Sequence, residues 1–240
     1  MTRTMLITGA SSGIGRATAE AALADGWRVG LFARRQSALE EIEGETLVLP
    51  GDISVLADIE GAVAQMADAW GRIDVLFNNA GVFTPQGTIN EIDIADWEKT
   101  VSVNITGMFY AARAAFAQMR RQAPMGGRII NNGSLSAHSP REGSVCYTMS
   151  KHAIAGLTKT LSLDGRPFDI ACGQIDIGNA RTPMVAALDE ANRAAGRPEI
   201  PSMDVEHAAE AVLHMANLPA SANVQSLTVL ATKMPFVGRG

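Results

Sequence analysis

One segment constrains the fold more than any other: Thr8-Gly9-Ala10-Ser11-Ser12-Gly13-Ile14-Gly15, which follows directly on the apolar run Met5-Leu6-Ile7. A short apolar run bounded by glycines reads as a buried strand. Glycine then permits a tight strand-to-helix turn and a close backbone approach that a side chain would block. The same alternation recurs down the chain. Short β-rich runs fall at 4–8, 28–33, 46–50, 74–78, 128–132, 169–177 and 225–232, and helical patterns at 15–24, 53–70, 96–122 and 145–163 lie between them. Nearly continuous apolar strands are covered on both faces, and βαβ alternation winds into a parallel sheet with right-handed crossovers. The expected fold class is α/β: a doubly wound, mostly parallel sheet of seven strands, with helices on both faces and a single domain over residues 1–240.

Composition narrows the partners. A chain with 47% hydrophobic and 19% charged residues is globular, and a net charge of −5 offers no basic footprint for nucleic acid. No run approaches the roughly 20 apolar residues of a membrane-spanning helix, and the apolar start is too short for a secretory signal. Only two cysteines occur, Cys146 and Cys172, without metal-ligand spacing, so no metal is expected. These features make a cytoplasmic protein the expectation. Residues 181–203 carry Pro183, Pro198 and Pro201 and follow the strand read at 169–177. Ligands bind beyond the carboxyl ends of such strands, so this segment is expected to form a substrate lid.

The glycine turn also predicts a ligand. A helix N-terminus presents unpaired N–H groups and a positive dipole end, which together suit a pyrophosphate. Its spacing is G-x-x-x-G-x-G rather than the commoner G-x-G-x-x-G. Further signals follow in order: Asn78-Asn79-Ala80-Gly81, then Asn104, Ser134, and Tyr147-Thr148-Met149-Ser150-Lys151. In this order and over essentially the whole chain, these motifs resemble the short-chain dehydrogenase/reductase family, a Rossmann-fold family of nicotinamide-dependent oxidoreductases. The close spacing of the glycines is unlike the extended epimerase and dehydratase branch.

The resemblance implies a nucleotide cradle of Gly9, Ser11, Ser12, Gly13, Ile14 and Gly15, with Asn79, Ala80 and Gly81 beside it. Asp52 and Ile53 resemble the adenine-contacting pair, while Gly178, Ala180 and Thr182 resemble the nicotinamide-side segment. A carboxylate after the second strand would bind a ribose 2′-hydroxyl, whereas a 2′-phosphate needs positive charge there. Here Arg34 and Arg35 follow that strand and no carboxylate does, so NADP(H) is expected, with NAD(H) as the alternative.

Tyr147 and Lys151 stand four apart on a helical pattern and therefore share a face. A tyrosine ionises near pH ~10 and is a poor proton donor-acceptor unless a neighbouring ammonium favours its phenolate. The resemblance gives that role to Tyr147, makes Lys151 its electrostatic partner and a ribose ligand, and makes Ser134 the holder of the substrate oxygen. It gives Asn104 a water-anchoring place in a proton relay. Ser136 reads as support for the loop, His138 as a surface-loop residue, and Met149, Met184, Met203 and Met215 as core or lid packing.

One departure stands out. Ile177 occupies the position where the family usually has proline before Gly178, and Cys172-Gly173-Gln174 is unusual for this strand. The substrate is expected to be a small carbonyl compound or alcohol. A 3-oxoacyl-carrier-protein reductase is the enzymatic alternative, for which Arg141, Arg181, Arg193 and Arg197 would form the docking patch. A non-catalytic NADP(H)-binding regulator is the other reading, set against the retained Tyr147 and Lys151. Small residues cluster in both long helical patterns, at Ala111, Ala112, Ala114, Ala115 and Ala117, and at Ala153, Ala155 and Gly156. In the family these helices pair between subunits, so a homodimer or homotetramer is expected.

Overall fold

A computed structural model of the protein describes residues 2–237. Its centre is a seven-stranded sheet made of β1 (Thr4–Thr8), β2 (Arg28–Ala33), β3 (Thr46–Pro50), β4 (Val75–Asn78), β5 (Gly127–Asn132), β6 (Ile170–Gly178) and β7 (Ser226–Leu230). The order is β3-β2-β1-β4-β5-β6-β7. Every neighbouring pair is parallel.

Strand alternation divides the core in two. Met5 and Ile7 of β1 face one side, where they join Val29, Leu31, Ile130 and Ile175. On that side they meet Ala19 and Ala22 of helix α1 (Gly13–Ala24), and Val212 and Met215 of a later helix, residues 205–216. Leu6 faces the other side with Phe32, Leu76 and Ile129. It packs there against α3 (Leu56–Trp70), which follows the short α2 (Gln36–Glu40), and against residues 108–121. Met5, Leu6 and Ile7 are all fully buried, each worth roughly 1.5–3 kcal/mol of apolar transfer. That two-sided burial is why β1 reads as a continuous apolar run.

The helical pattern read at 96–122 has internal structure. Helix α4 (Ile94–Thr100) is capped by Asp93, whose carboxylate accepts the Ala95 N–H at 2.9 Å. It passes without a break into a π-helical stretch, Val101–Gly107, and then into α5 (Met108–Arg121). Single-turn π bulges inside α-helices are concentrated at functional sites. Gly107 lies where a Cβ would come within 3.0 Å of Ile53, so the stretch packs tightly on the turn after β3.

Helix α6 (Val145–Asp164) crosses to β6, and α7 (Pro183–Ala194) and α8 (Val205–Ala216) complete the chain before β7. Residues 181–203 thus contain a helix, tied back to the end of β6 by the Met203 N–H to the Asn179 carbonyl. Two expectations need correction here. The α5 alanines Ala111, Ala112, Ala114 and Ala115 are buried within the chain itself, so they let the helix lie close on the sheet. Met149 is 51% exposed on α6 and is not core packing.

Candidate functional site

The strand order reverses between β1 and β4, and open α/β sheets place ligands at that switch point. The glycine turn sits there. Gly9 (φ 71°) and Gly13 (φ 57°) adopt left-handed conformations that favour glycine. Gly15 is required for space: a Cβ would come within 2.3 Å of the Gly9 carbonyl oxygen. The turn is locked to β4, because Thr8 Oγ1 accepts the N–H groups of Asn79 (2.9 Å) and Ala80 (3.0 Å). Asn79 Nδ2 returns a bond to the Thr8 carbonyl at 2.9 Å.

From Asn79 the network continues into the next strand and helix. Asn132 Nδ2 donates to Asn79 Oδ1 at 2.8 Å, and Lys151 Nζ donates to the Asn132 carbonyl at 2.9 Å. Lys151 is buried, and its ammonium lies 5.4 Å from the centre of the Tyr147 ring. Tyr147 is steadied on another side by Phe83, edge-on at 4.9 Å. An ammonium carries three donors, and only one is used among the described residues, leaving two for a ligand.

Two cavities meet at Tyr147. The first, about 440 Å3, is lined by Gly9, Ser11, Ser12, Gly13 and Ile14 of the turn, and by Asn79, Ala80 and Gly81 after β4. Arg34, Arg35, Asp52 and Ile53 close its far end, while Tyr147, Lys151 and Thr182 close the near end. The second, about 190 Å3, is lined by Ser134, Tyr147, Gly178, Ala180 and Thr182, with apolar walls from Ile14, Phe83, Leu135 and Ile177. Met184, Val185 and Leu188 of α7 form its outer side. Of the residues assigned from the sequence to cofactor binding or to the reaction, only Gly15 and Asn104 line neither cavity. Gly15 supports the turn from behind. Asn104 is fully buried in the π-helical stretch; its amide bonds both the N–H and the carbonyl of Val82, at 2.8 and 2.9 Å, and reaches Ser150 Oγ at 3.2 Å.

The two arginines after β2 divide their work. Arg35 Nη2 donates to the carbonyl and hydroxyl of Ser11, both at 3.2 Å, bracing the glycine turn. The Arg34 side chain has no hydrogen bond or ion pair among the described residues and lines the cavity. Asp52 is held below the ordinary carboxylate range by hydrogen bonds from the Ser54 hydroxyl and backbone N–H, helped by the charge of Arg34. It is therefore an acceptor at neutral pH.

The sequence reading missed a support behind Ser134. Asp176 on β6 is fully buried; its Oδ1 accepts the Ser134 N–H at 2.7 Å and Gln174 Nε2 at 2.8 Å. Its Oδ2 lies 2.8 Å from His138 Nε2. His138 is indeed exposed, but it has a specific partner. Ser136 supports the loop as expected, its N–H donating to Ser134 Oγ at 3.1 Å. The only available signal was the unusual acid in Ile175-Asp176-Ile177, at a strand's carboxyl end.

The residues fit a dinucleotide on three counts: a glycine cradle that side chains would fill, an elongated cavity of suitable size, and phosphate-seeking donors at one end with an acceptor for an adenine amine. The sequence profile of the short chain dehydrogenase family matches residues 3–193. The chain belongs to the short-chain dehydrogenase family. Among curated relatives, a 3beta-hydroxysteroid dehydrogenase of Mediterraneibacter gnavus is 31% identical over 187 residues, covering 75% of this chain and 67% of the relative. A solved variant of actinorhodin polyketide ketoreductase with NADPH is 27% identical, with a TM-score of 0.86 over 96% of each chain. A 3-ketoacyl-(acyl-carrier-protein) reductase from Brucella melitensis, complexed with NADH, shares the fold at 24% identity and a TM-score of 0.86, covering 96% of this chain and 97% of the other. Family membership makes the chain an oxidoreductase of the short-chain dehydrogenase type. Among the described residues no helix is long and apolar enough to cross a membrane, and no three metal-ligating side chains cluster.

Proposed function

We propose that this protein is an NADP(H)-dependent oxidoreductase that moves a hydride between nicotinamide and the carbon of a carbonyl compound or secondary alcohol. The observation that carries the reading is that Tyr147 lines both cavities, with Lys151 beside it in the first and Ser134 in the second. A bound nicotinamide would supply or accept the hydride. The protein's own residues do the rest. The Tyr147 hydroxyl gives its proton to the carbonyl oxygen during reduction and takes it back during oxidation. The Lys151 charge favours the phenolate left behind, and its free N–H groups hold ribose hydroxyls. The Ser134 hydroxyl, aimed by its own loop, donates to the same substrate oxygen. Asn104 keeps the Gly81–Val82 segment in place, and with it one wall of the nicotinamide end.

The preference for the phosphorylated cofactor rests on Arg34, a cation with no hydrogen bond or ion pair among the described residues, at the end of the cavity where the residues directly after β2 are basic. The lid role of 181–203 rests on α7, whose Met184 is half-exposed while lining both cavities. A cytoplasmic location goes with this reading. The test is direct. Purified protein is offered ketones with NADPH or NADH, and alcohols with the oxidised forms, and the absorbance of reduced nicotinamide is followed. Turnover of some ketone with clear preference for NADPH is expected; tight nucleotide binding without turnover across a broad panel would favour a regulatory binder.

One feature bears on the carrier-protein reading. Arg141 lines the second cavity, as that alternative requires. Two other members of that patch have partners within the chain: Arg193 pairs with Asp189 at 3.4 Å, and Arg197 donates to Asn192 Oδ1 at 2.8 Å. A small free substrate is the better reading.

A further inference from the structure

The second cavity is chemically lopsided. Its walls are mostly aliphatic and aromatic, its neutral polar groups are hydroxyls and Asn179, and no Asp or Glu lines it. Arg141 is its one charged side chain. The guanidinium makes no hydrogen bond or ion pair among the described residues, and Arg141 is only half-exposed. Glu142, next in the chain, is exposed and does not pair with it. On a protein of net charge −5, a cation left without a counter-ion among the described residues, on the wall of an acid-free pocket, is placed to take an anion that enters it.

The backbone of Arg141 is fixed relative to the proposed proton donor. Its carbonyl accepts the Ser144 hydroxyl at 2.7 Å and the Ser144 N–H at 3.3 Å. Ser144 is buried, contacts Thr148 Oγ1 at 2.9 Å, and precedes the helix that carries Tyr147. The following Gly143 carbonyl accepts the Gly87 N–H at 3.0 Å, anchoring the loop from its other side. Arg141 is thus held at a set position along the pocket from Tyr147 and Ser134.

We infer that the second cavity is built for a substrate carrying an anionic group, a carboxylate at one end and the reacting carbonyl or alcohol at the other, with Arg141 binding the carboxylate. A guanidinium fork matches a carboxylate bidentately, which fixes orientation as well as adding attraction. The aliphatic walls take the carbon chain between the two ends. About 190 Å3 lies below the ~300–1,000 Å3 typical of sites for drug-sized ligands, which suits a short oxo-acid rather than a fused-ring compound. The inference rests on reading this cavity as the substrate pocket of an oxidoreductase, and the experiment separates the two claims.

The probes are 4-oxopentanoate and 5-oxohexanoate, each beside its methyl ester, so that charge changes while the ketone does not. With NADPH, the acid is expected to exceed its ester in kcat/KM by about 10- to 100-fold, the span of a charge-assisted hydrogen-bonded contact. Arg141→Met should collapse that ratio towards one, chiefly through KM of the acid, and Arg141→Lys should restore part of it. Equal use of acid and ester by the unaltered enzyme, or a ratio that survives Arg141→Met, overturns the anion subsite while leaving the oxidoreductase reading intact. If no ketone turns over, calorimetry of the protein–NADPH complex with 5-oxohexanoate decides. Binding that Arg141→Met abolishes keeps the anion site and sinks the reductase reading, and absence of binding overturns the anion site.

Discussion

Asp176 holds Ser134 through its backbone: the Ser134 N–H donates to Asp176 Oδ1 at 2.7 Å, from a carboxylate with no exposed surface. Because Gln174 shares that oxygen and His138 caps the other, the acid on β6 links the end of one strand to the loop after its neighbour. The backbone of the residue proposed to steer the substrate oxygen is therefore held by Asp176, which does not line the substrate cavity.

Removing that support should show in catalysis rather than in nucleotide binding. Asp176→Ala leaves the Ser134 N–H, Gln174 and His138 without their shared acceptor, and is expected to lower kcat about 10- to 100-fold, from the loss of charge-assisted hydrogen bonds. Asp176→Asn keeps an acceptor for Ser134 and should recover part of the rate. NADPH affinity, read by nucleotide fluorescence, should change little in either. An equal fall in affinity and rate would mean general unfolding of the region instead of a positioning role.

Tyr147→Phe removes one oxygen and leaves the ring against Phe83. Turnover should fall by at least about 100-fold, the lower end for a lost general acid–base group, while NADPH still binds. A variant retaining a tenth or more of the activity would take the proton transfer away from Tyr147.

Cofactor choice is expected to turn on Arg34 more than on Arg35, since Arg35 is committed to Ser11. Arg34→Asp places a carboxylate where the 2′-phosphate is expected, and should weaken NADPH while sparing NADH, so that the NADPH/NADH ratio of kcat/KM drops about tenfold or more. Arg35→Ala should weaken both cofactors together by loosening the turn. A ratio that stays constant in Arg34→Asp would show that the phosphate is read elsewhere.

The thiol of Cys172 offers a check on the core. Burial pushes its pKa up to about 12, so at about pH 8 only ~0.01% would be thiolate, the reactive form. Iodoacetamide should leave Cys172 unlabelled in the folded protein, by mass spectrometry, and label it once denaturant is added. Rapid labelling without denaturant would mean that β6 opens readily.

The parts legible in the sequence are those fixed by local rules. Thr8–Gly15 needs its glycines for backbone angle and space, and β1 needs apolar side chains on both faces, so both leave a mark in consecutive residues. The Tyr147–Lys151 spacing is likewise a property of one helix. Asp176 and His138 are separated by 38 positions and meet only because β6 lies beside β5 in the sheet, so nothing local announces the pair. The unequal tasks of Arg34 and Arg35 depend on where neighbouring β-strand residues point. The π-helical stretch around Asn104 also left no periodic signature distinct from an ordinary helix. Four of the five α5 alanines misled for a physical reason, since small residues serve close packing on a sheet as well as close packing between helices; Ala117 is exposed.

Assembly follows from what α6 leaves uncovered. Met149, Ala153, Gly156, Thr160 and Leu163 recur at helical spacing and are all exposed, Met149 at 51% and Leu163 at 57%. Nothing lies within 4 Å of a Cβ built on Gly156, so that face has room for another helix. On α5, Phe109 is 50% exposed. An outward stripe with apolar ends and small residues between them is suited to close helix packing, and symmetric oligomers bury such faces against their own copies. The expected state is a two-fold homodimer or a homotetramer using α5 and α6, measured by light scattering at micromolar concentration. Gly156→Glu should shift the mass towards monomer because a long charged side chain enters the contact, and Leu163→Glu should do the same from the stripe's far end. A monomeric unaltered protein, or an oligomer whose mass neither substitution moves, would put the interface elsewhere and leave the catalytic reading untouched.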